Sequence, residues 1–253
     1  MHFIDKTGIA RAIKVVRTDR DDCWERQLDY GVWHHPNLVR IHQVLRPFEL
    51  SSDTHCAMAM AVADTDLHSF IQCRRGGGRG LAATQAAEIS RQCTMGLGFL
   101  HGRDVLHRDL KPGNVLLYFG DDCPSHVAGL ASIHVWVADF GLARQCIDEA
   151  MTAHVQTAGY RAPELVFSSQ EETSYTSAVD IWSLGCIFYE VVTGDRFGVG
   201  SDSTRSMQLV VEALGPPPIV PEWLVPLPLV GGAEATVMCP DLSCLCRRVR
   251  SGR

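Results

Sequence analysis

Eight consecutive residues, His107-Arg108-Asp109-Leu110-Lys111-Pro112-Gly113-Asn114, constrain this chain more than any other stretch of it. Two short motifs follow them in order, Asp139-Phe140-Gly141 and Ala162-Pro163-Glu164. An Asp-Phe-Gly tripeptide alone reads as a surface turn before a helix. An eight-residue motif with two others in register downstream removes coincidence as the explanation.

The bulk properties narrow the setting. With 253 residues, 46% of them hydrophobic, the chain reads as a packed globular protein of one large or two smaller domains rather than a disordered one. A formal net charge of −6 carries no electrostatic footprint for nucleic acid or an anionic membrane, so neither is expected as a partner. The most apolar long stretch, residues 178–193, is interrupted by Asp180 and Glu190 and falls short of the roughly 20 apolar residues that span a bilayer. It reads as a buried helix. The first residues show no charged-then-apolar export pattern, and the cysteines are scattered, so reduced thiols and an intracellular, cytoplasmic or nuclear location are expected. Cys239, Cys244 and Cys246 lack the paired spacing and histidines of a zinc site.

Local patterns give an α+β order. Residues 11–16 have the β-branched, apolar character of a strand after a turn signal ending at Gly8. Glu25, Leu28 and Val32 recur at helical steps ahead of His35-Pro36-Asn37, and residues 39–45 and 58–62 read as further strands. From Ala63 the pattern turns helical. A short helix is expected within 64–71, a Gly/Arg-rich connector over 74–80, and a long helix over 81–101 with Ile89, Cys93, Leu97 and Leu100 on one face. Residues 118–133, with Asp121 and Pro124, read as an enlarged turn between two strands. There are no internal repeats.

The three motifs, in this order, resemble the catalytic loop, the magnesium-binding turn and the end of the activation segment of eukaryotic protein kinases. The resemblance implies a two-lobed α+β fold: a small, β-rich and partial N-lobe over 1–62, a larger helical C-lobe over 63–215, and a divergent Pro/Cys-rich tail over 216–253. It implies ATP and Mg2+ as cofactors. Asp109 would orient and deprotonate the acceptor hydroxyl, Lys111 would reach the transferred phosphate, and Asn114 and Asp139 would supply oxygen ligands to magnesium. Asn114 and Asp139 lie 25 positions apart, a longer gap than the resemblance leads one to expect, and the enlarged turn contains the excess. Lys14 would pair with the inner phosphates and be held by a glutamate, for which Glu25 is the choice; a different count back from His35-Pro36 puts Arg26 there instead. Ala12 and Leu116 would sandwich the adenine, Met60 would stand at its rear, and backbone groups of Ala61 and Ala63 would bond its edge. The apolar members of that set read equally as plain core.

Lys111, Thr157 and the run Tyr160-Arg161-Ala162-Pro163-Glu164 resemble the serine/threonine kinases of the cyclin-dependent and mitogen-activated group, as do Asp64-Thr65-Asp66-Leu67-His68 and residues 210–218. In that group the substrate serine or threonine is commonly followed by proline. Protein substrates and an activating kinase or cyclin-like partner are the implied partners. Within the activation segment (Thr152, Thr157, Arg161, Glu164), Thr152 stands where an activating phosphate would be clamped by Arg108 and Arg144. Gly159 replaces an expected bulky residue, and His154 replaces the tyrosine of a Thr-x-Tyr pair. Ahead of Lys14 no glycine-rich loop is found, and no arginine from closing helices is found for Glu164, Arg247 and Arg248 being the nearest in type. The expectation is therefore a kinase truncated at both ends. A non-catalytic kinase-like binding module or truncated paralogue is the alternative.

Overall fold

The computed structural model describes residues 2–4, 8, 10–17, 34–50, 53–74, 80–120, 133–145, 151–152, 156–166, 172–173, 176–200 and 203–215. The chain opens with a four-stranded antiparallel sheet in the order β1-β2-β4-β3, formed by β1 (His2–Ile4), β2 (Ala10–Arg17), β3 (Ile41–Leu50) and β4 (Asp53–Ala61). Gly8, at a φ of 81° that L side chains rarely adopt, lies between β1 and β2, as the turn signal requires. β2 runs against β4 from Arg11↔Ala61 to Arg17↔His55, which sets Ala12 directly opposite Met60 and Lys14 opposite Met58. β4 buries Cys56, Met58 and the alanines between and after them, the run of apolar residues expected of a strand covered on both faces. β3 begins and ends later than the sequence pattern suggests, and register shifts interrupt its pairing with β4.

Beyond Ala61 the described residues turn from strands to helices joined by short strand pairs. Residues Thr65–Asp66 form β5, and α1 (Leu67–Arg74) begins only after it, because the Asp66 carboxylate caps the helix through the Ser69 N–H and hydroxyl. The long helix is α2 (Ala83–His101), with Ile89, Cys93, Leu97 and Leu100 all buried as their spacing predicts. Burial pushes the Cys93 thiol up to about 12, so it behaves as a small apolar side chain. Next come β6 (Val105–Leu106), a 3₁₀ turn (Pro112–Asn114), β7 (Val115–Tyr118), β8 (His134–Val137) and β9 (Arg144–Gln145). β7 pairs antiparallel with β8 from Val115↔Val137 to Tyr118↔His134, and β5 extends this sheet beside β7. The gap between Asn114 and Asp139 is thus flanked by paired strands, and the residues of its tip (121–132) lie outside the described set.

β10 (Met151–Thr152) pairs with β11 (Glu172–Thr173), and α3 (Pro163–Val166), α4 (Ala178–Thr193) and α5 (Ser203–Leu214) complete the described chain. α4 ends at Gly194, whose left-handed φ of 83° lets its N–H return to the Glu190 carbonyl. This helix is buried on one side only: Val179, Ile187 and Val191 are in the core, while Ile181 and Val192 face outward. The core unites α2, β7, β8 and α4, and each fully buried leucine or isoleucine in it stabilises the fold by roughly 1.5–3 kcal/mol relative to exposure. Among the described residues no helix is long and apolar enough to cross a membrane. The region expected to be a helix carrying Glu25, Leu28 and Val32 lies outside the described residues.

Candidate active site

The loop after β6 is held by one buried carboxylate. Asp180, in the first turn of α4 and fully buried, accepts hydrogen bonds from the backbone N–H of His107 (2.8 Å) and of Arg108 (2.9 Å), and from His101 Nε2 (2.9 Å). These bonds hold Arg108 at a φ of 63°, a strained conformation for a residue with a side chain. His107, also fully buried, donates from Nε2 to the Ala138 carbonyl at 2.9 Å and accepts the Asp109 N–H on Nδ1 at 3.3 Å. Its partners therefore require the proton on Nε2. The same ring meets Phe140 edge-on, so the catalytic-loop motif and the Asp-Phe-Gly motif are in direct contact.

Asp109 is the hub of the resulting site. Its Oδ2 accepts from Lys111 Nζ at 2.6 Å and from Asn114 Nδ2 at 3.2 Å, and its Oδ1 accepts from the Thr157 hydroxyl at 2.8 Å. Lys111 Nζ also donates to the Thr157 hydroxyl at 3.1 Å, which closes a triangle of Asp109, Lys111 and Thr157. The Asn114 nitrogen spends its second bond on the Asp109 carbonyl at 2.8 Å, so its amide oxygen is the atom available to a cation. Across the site, Asp139 adopts a φ of 66° and accepts from Lys14 Nζ at 2.6 Å and from the Gly141 N–H at 3.3 Å on one carboxylate oxygen. Burial pushes the pKa of this carboxyl up, but the charge and hydrogen bond of Lys14, the Gly141 N–H and His107 outweigh it and hold the group below its ordinary value. The Ala138 N–H bonds the Asn114 carbonyl at 2.9 Å and so joins the two halves through the backbone.

Ala12, Lys14, Met60, Ala61, Ala63, Leu116, Asn114 and Asp139 line one cavity of about 410 Å³, a size suited to a nucleotide-class ligand. Val39, Asp66, Gly113 and Ala138 share its wall; Gly113 belongs to the eight-residue motif, and Asp66 carries a legible signal of its own, an acidic residue at a helix start. Magnesium fits this donor set: one amide oxygen and one carboxylate are hard ligands, and such an ion completes its octahedron from phosphate and water. Among the described residues no cluster of three or more His, Cys, Asp or Glu side chains is placed to hold a metal. Glu25, Cys239, Cys244, Cys246, Arg247 and Arg248 lie outside the described residues.

The activation-segment residues are distributed differently. Thr157 joins the Asp109 hub, and Arg161 Nη2 donates to the Gln156 carbonyl at 2.9 Å. Gln156, buried at a φ of 67°, donates to the Val179 carbonyl and the Ser183 hydroxyl and accepts the Ala162 N–H, so it pins the segment to α4. Sequence reading missed this residue, whose only signal was its place next to Thr157 in the activation segment. Tyr160 donates its hydroxyl to Glu190 at 2.6 Å. Glu164 is partly buried, which pushes its carboxyl up, and it lines an apolar groove of about 630 Å³ with Ile181, Trp182 and Leu214. Arg108 is buried with its Nε on the Leu142 carbonyl at 2.6 Å, Arg144 lies in β9 opposite Leu106, and Thr152 lies in β10 opposite Glu172.

Lys14, Asn114 and Asp139 thus line one cavity, and Asp109, bonded to Lys111 and Thr157, lies beside it through its bond to Asn114. The protein kinase domain family matches residues 3–216, and the chain belongs to that family. It is similar to mitogen-activated protein kinase 5 of Arabidopsis thaliana, 36% identical over 184 residues that cover 72% of this chain and 44% of the relative. It is also similar to the mitogen-activated protein kinase homolog MMK2 of Medicago sativa, 35% identical over 217 residues covering 85% of this chain and 52% of the relative. Mitogen-activated protein kinase 1 of Oryza sativa subsp. japonica is 35% identical over 72% of this chain and 42% of its own length. The chain spans about half the length of the curated relatives it matches.

Proposed function

We propose that this chain is a protein serine/threonine kinase that transfers the ATP γ-phosphate to a hydroxyl of a protein substrate with the help of Mg2+. The observation that carries the reading is the convergence of the Asp109–Lys111–Thr157 triangle and the Lys14–Asp139 pair on the two sides of Asn114. Asp109 orients the acceptor hydroxyl and takes its proton as the new oxygen–phosphorus bond forms and the bond to the ADP leaving group breaks. Lys111 and Lys14 each sit 2.6 Å from a carboxylate and are placed to hand their charge to the transferred and inner phosphates. Asn114 and Asp139 would hold the magnesium, which supplies positive charge to the phosphates when bound.

Ala12 and Leu116 form the two walls of the adenine site in this reading, with Met60 behind and Ala61 and Ala63 at its edge. Residues 1–62 form the small lobe, 63–215 the large lobe and 216–253 a tail. The names of the relatives support the mitogen-activated group. In this reading the substrates carry proline after the acceptor, and an upstream kinase or a cyclin-like partner exerts control. Unpaired thiols at Cys73, Cys93 and Cys186 among the described residues support the reading of an intracellular protein, cytoplasmic or nuclear.

Transfer of labelled γ-phosphate to matched peptides tests the assignment. A peptide with Ser-Pro or Thr-Pro should be labelled, and one with tyrosine in place of the acceptor should not. Labelling of tyrosine alone, or binding of Mg–ATP with no transfer to any hydroxyl peptide, would contradict it.

A further inference from the structure

β8 delivers Asp139, and its two edges are bonded by different means. On one side it pairs with β7. On the other, no strand is paired with it among the described residues, yet its outward backbone groups are bonded in sequence. The Ile133 carbonyl accepts from Gln92 Nε2 at 2.8 Å, and the Val135 N–H donates to Gln92 Oε1 at 2.8 Å. The Val135 carbonyl accepts from Asn37 Nδ2 at 3.1 Å, the Val137 N–H donates to the Asn37 carbonyl at 2.9 Å, and the Val137 carbonyl accepts the Val39 N–H at 2.9 Å. Two buried amide side chains and a short loop thus take the place of a neighbouring strand.

Gln92 is saturated in this role. Its nitrogen donates to the Ile133 carbonyl and to Glu88 Oε1, and its oxygen accepts from Val135 N–H and Asn37 Nδ2, so the whole bonding capacity of the amide is used. One turn along α2, Gly96 lets the helix approach the same loop, since a Cβ there would stand 2.6 Å from the Asn37 carbonyl. A fully bonded buried amide on a largely apolar helix face is a specific constraint, because displacing it leaves several backbone groups without partners.

We infer that Gln92 is a positioning residue: with Asn37 it acts as a side-chain substitute for a strand and fixes the end of β8 that presents Asp139 to the cavity. The backbone clamp stands on geometry alone. Its consequence for magnesium rests on the function proposed above.

The test compares the full chain with Gln92→Met, which keeps the length and removes the amide, and with Leu97→Ala, a control on the same helix whose apolar side chain can bond no backbone group of β8. Hydrogen exchange at the Val135 and Val137 amides is measured first. Gln92→Met should speed both by about tenfold or more relative to Leu97→Ala, after correction for any difference in global stability. Equal rates in the two variants would overturn the clamp. If Gln92→Met fails to fold, Asn37→Ala removes the middle rung from the loop side and is judged by the same two amides.

ADP affinity with and without Mg2+ is then titrated. The factor by which Mg2+ tightens binding should shrink several-fold in Gln92→Met and stay unchanged in Leu97→Ala. An undiminished factor in Gln92→Met would overturn the link to Asp139. A wild-type chain that binds no nucleotide would overturn the proposed function instead, with the exchange rates still deciding the clamp.

Discussion

The Lys14 ammonium lies 2.6 Å from a carboxylate oxygen of Asp139, joining residues 125 positions apart. One comes from an inner strand of the first sheet and the other from just past the end of β8, so the pair spans the cavity that both residues line.

The pairing carries a pH signature. Asp139 is held below its ordinary value near 3.9 in the folded chain, so its ionisation contributes stability that is complete above that value and is lost as pH falls through the lower, folded one. Lys14→Met leaves burial as the leading influence and raises the group instead. Urea unfolding across pH 3 to 7 should therefore show wild type more stable than Lys14→Met near neutrality, with the gap closing below about pH 4. A gap of constant size across that range would show that the pair is not coupled to folding.

Tyr160 gives a stability prediction of another kind. Its hydroxyl bonds Glu190, which is fully buried and whose other carboxylate oxygen has no hydrogen-bond partner among the described residues. Tyr160→Phe strips the group of that donor and should destabilise the fold by about 3 kcal/mol. Adding Glu190→Leu should recover much of the loss. Denaturation midpoints of the single and double variants check this, and a loss below half of that size would mean that the buried acid is satisfied by another route.

Much of this site was legible from sequence because its chemistry is contiguous. Asp109, Lys111 and Asn114 lie within one motif, and the structure brings Asp109 and Asn114 into a direct bond. The strand bearing Lys14 and the buried face of α2 followed from simple periodicity. The supporting shell was not legible. Asp180, Gln92 and Gln156 are polar residues on or beside apolar stretches, and each is tied to partners in other elements 23 to 79 positions away, so no local pattern reveals them. The start of α1 was misplaced for a local reason: Asp66 looked like part of a helix and is its cap.

Thr157 is predicted to act on rate rather than on affinity for nucleotide. It donates to Asp109 and accepts from Lys111, so its hydroxyl sets the spacing of the acid and the lysine. Thr157→Val should lower kcat by about tenfold to a hundredfold with little change in the KM for ATP, and Thr157→Ser should retain most of the rate. Steady-state kinetics decide it; a rise in KM alone would assign the residue to nucleotide binding instead.

Thr152 is predicted to be the site of control. A phosphate there adds a dianionic group that a guanidinium fork can bind, and Arg108 and Arg144 are the expected partners. Thr152→Ala and the parent are compared after treatment with an activating kinase, by activity and by protease resistance of residues 146–155. The parent should gain on both counts and the variant on neither. Equal responses would remove Thr152 as the switch.

The central claim is that Asp109 serves the acceptor hydroxyl. Single-turnover phosphate transfer from Mg–ATP to a Ser-Pro peptide, followed by rapid quench for wild type and Asp109→Asn, measures it most directly. Mg–ATP binding should be unchanged and the transfer rate lower by roughly two to four orders of magnitude in the variant. Transfer by Asp109→Asn at the wild-type rate would contradict it.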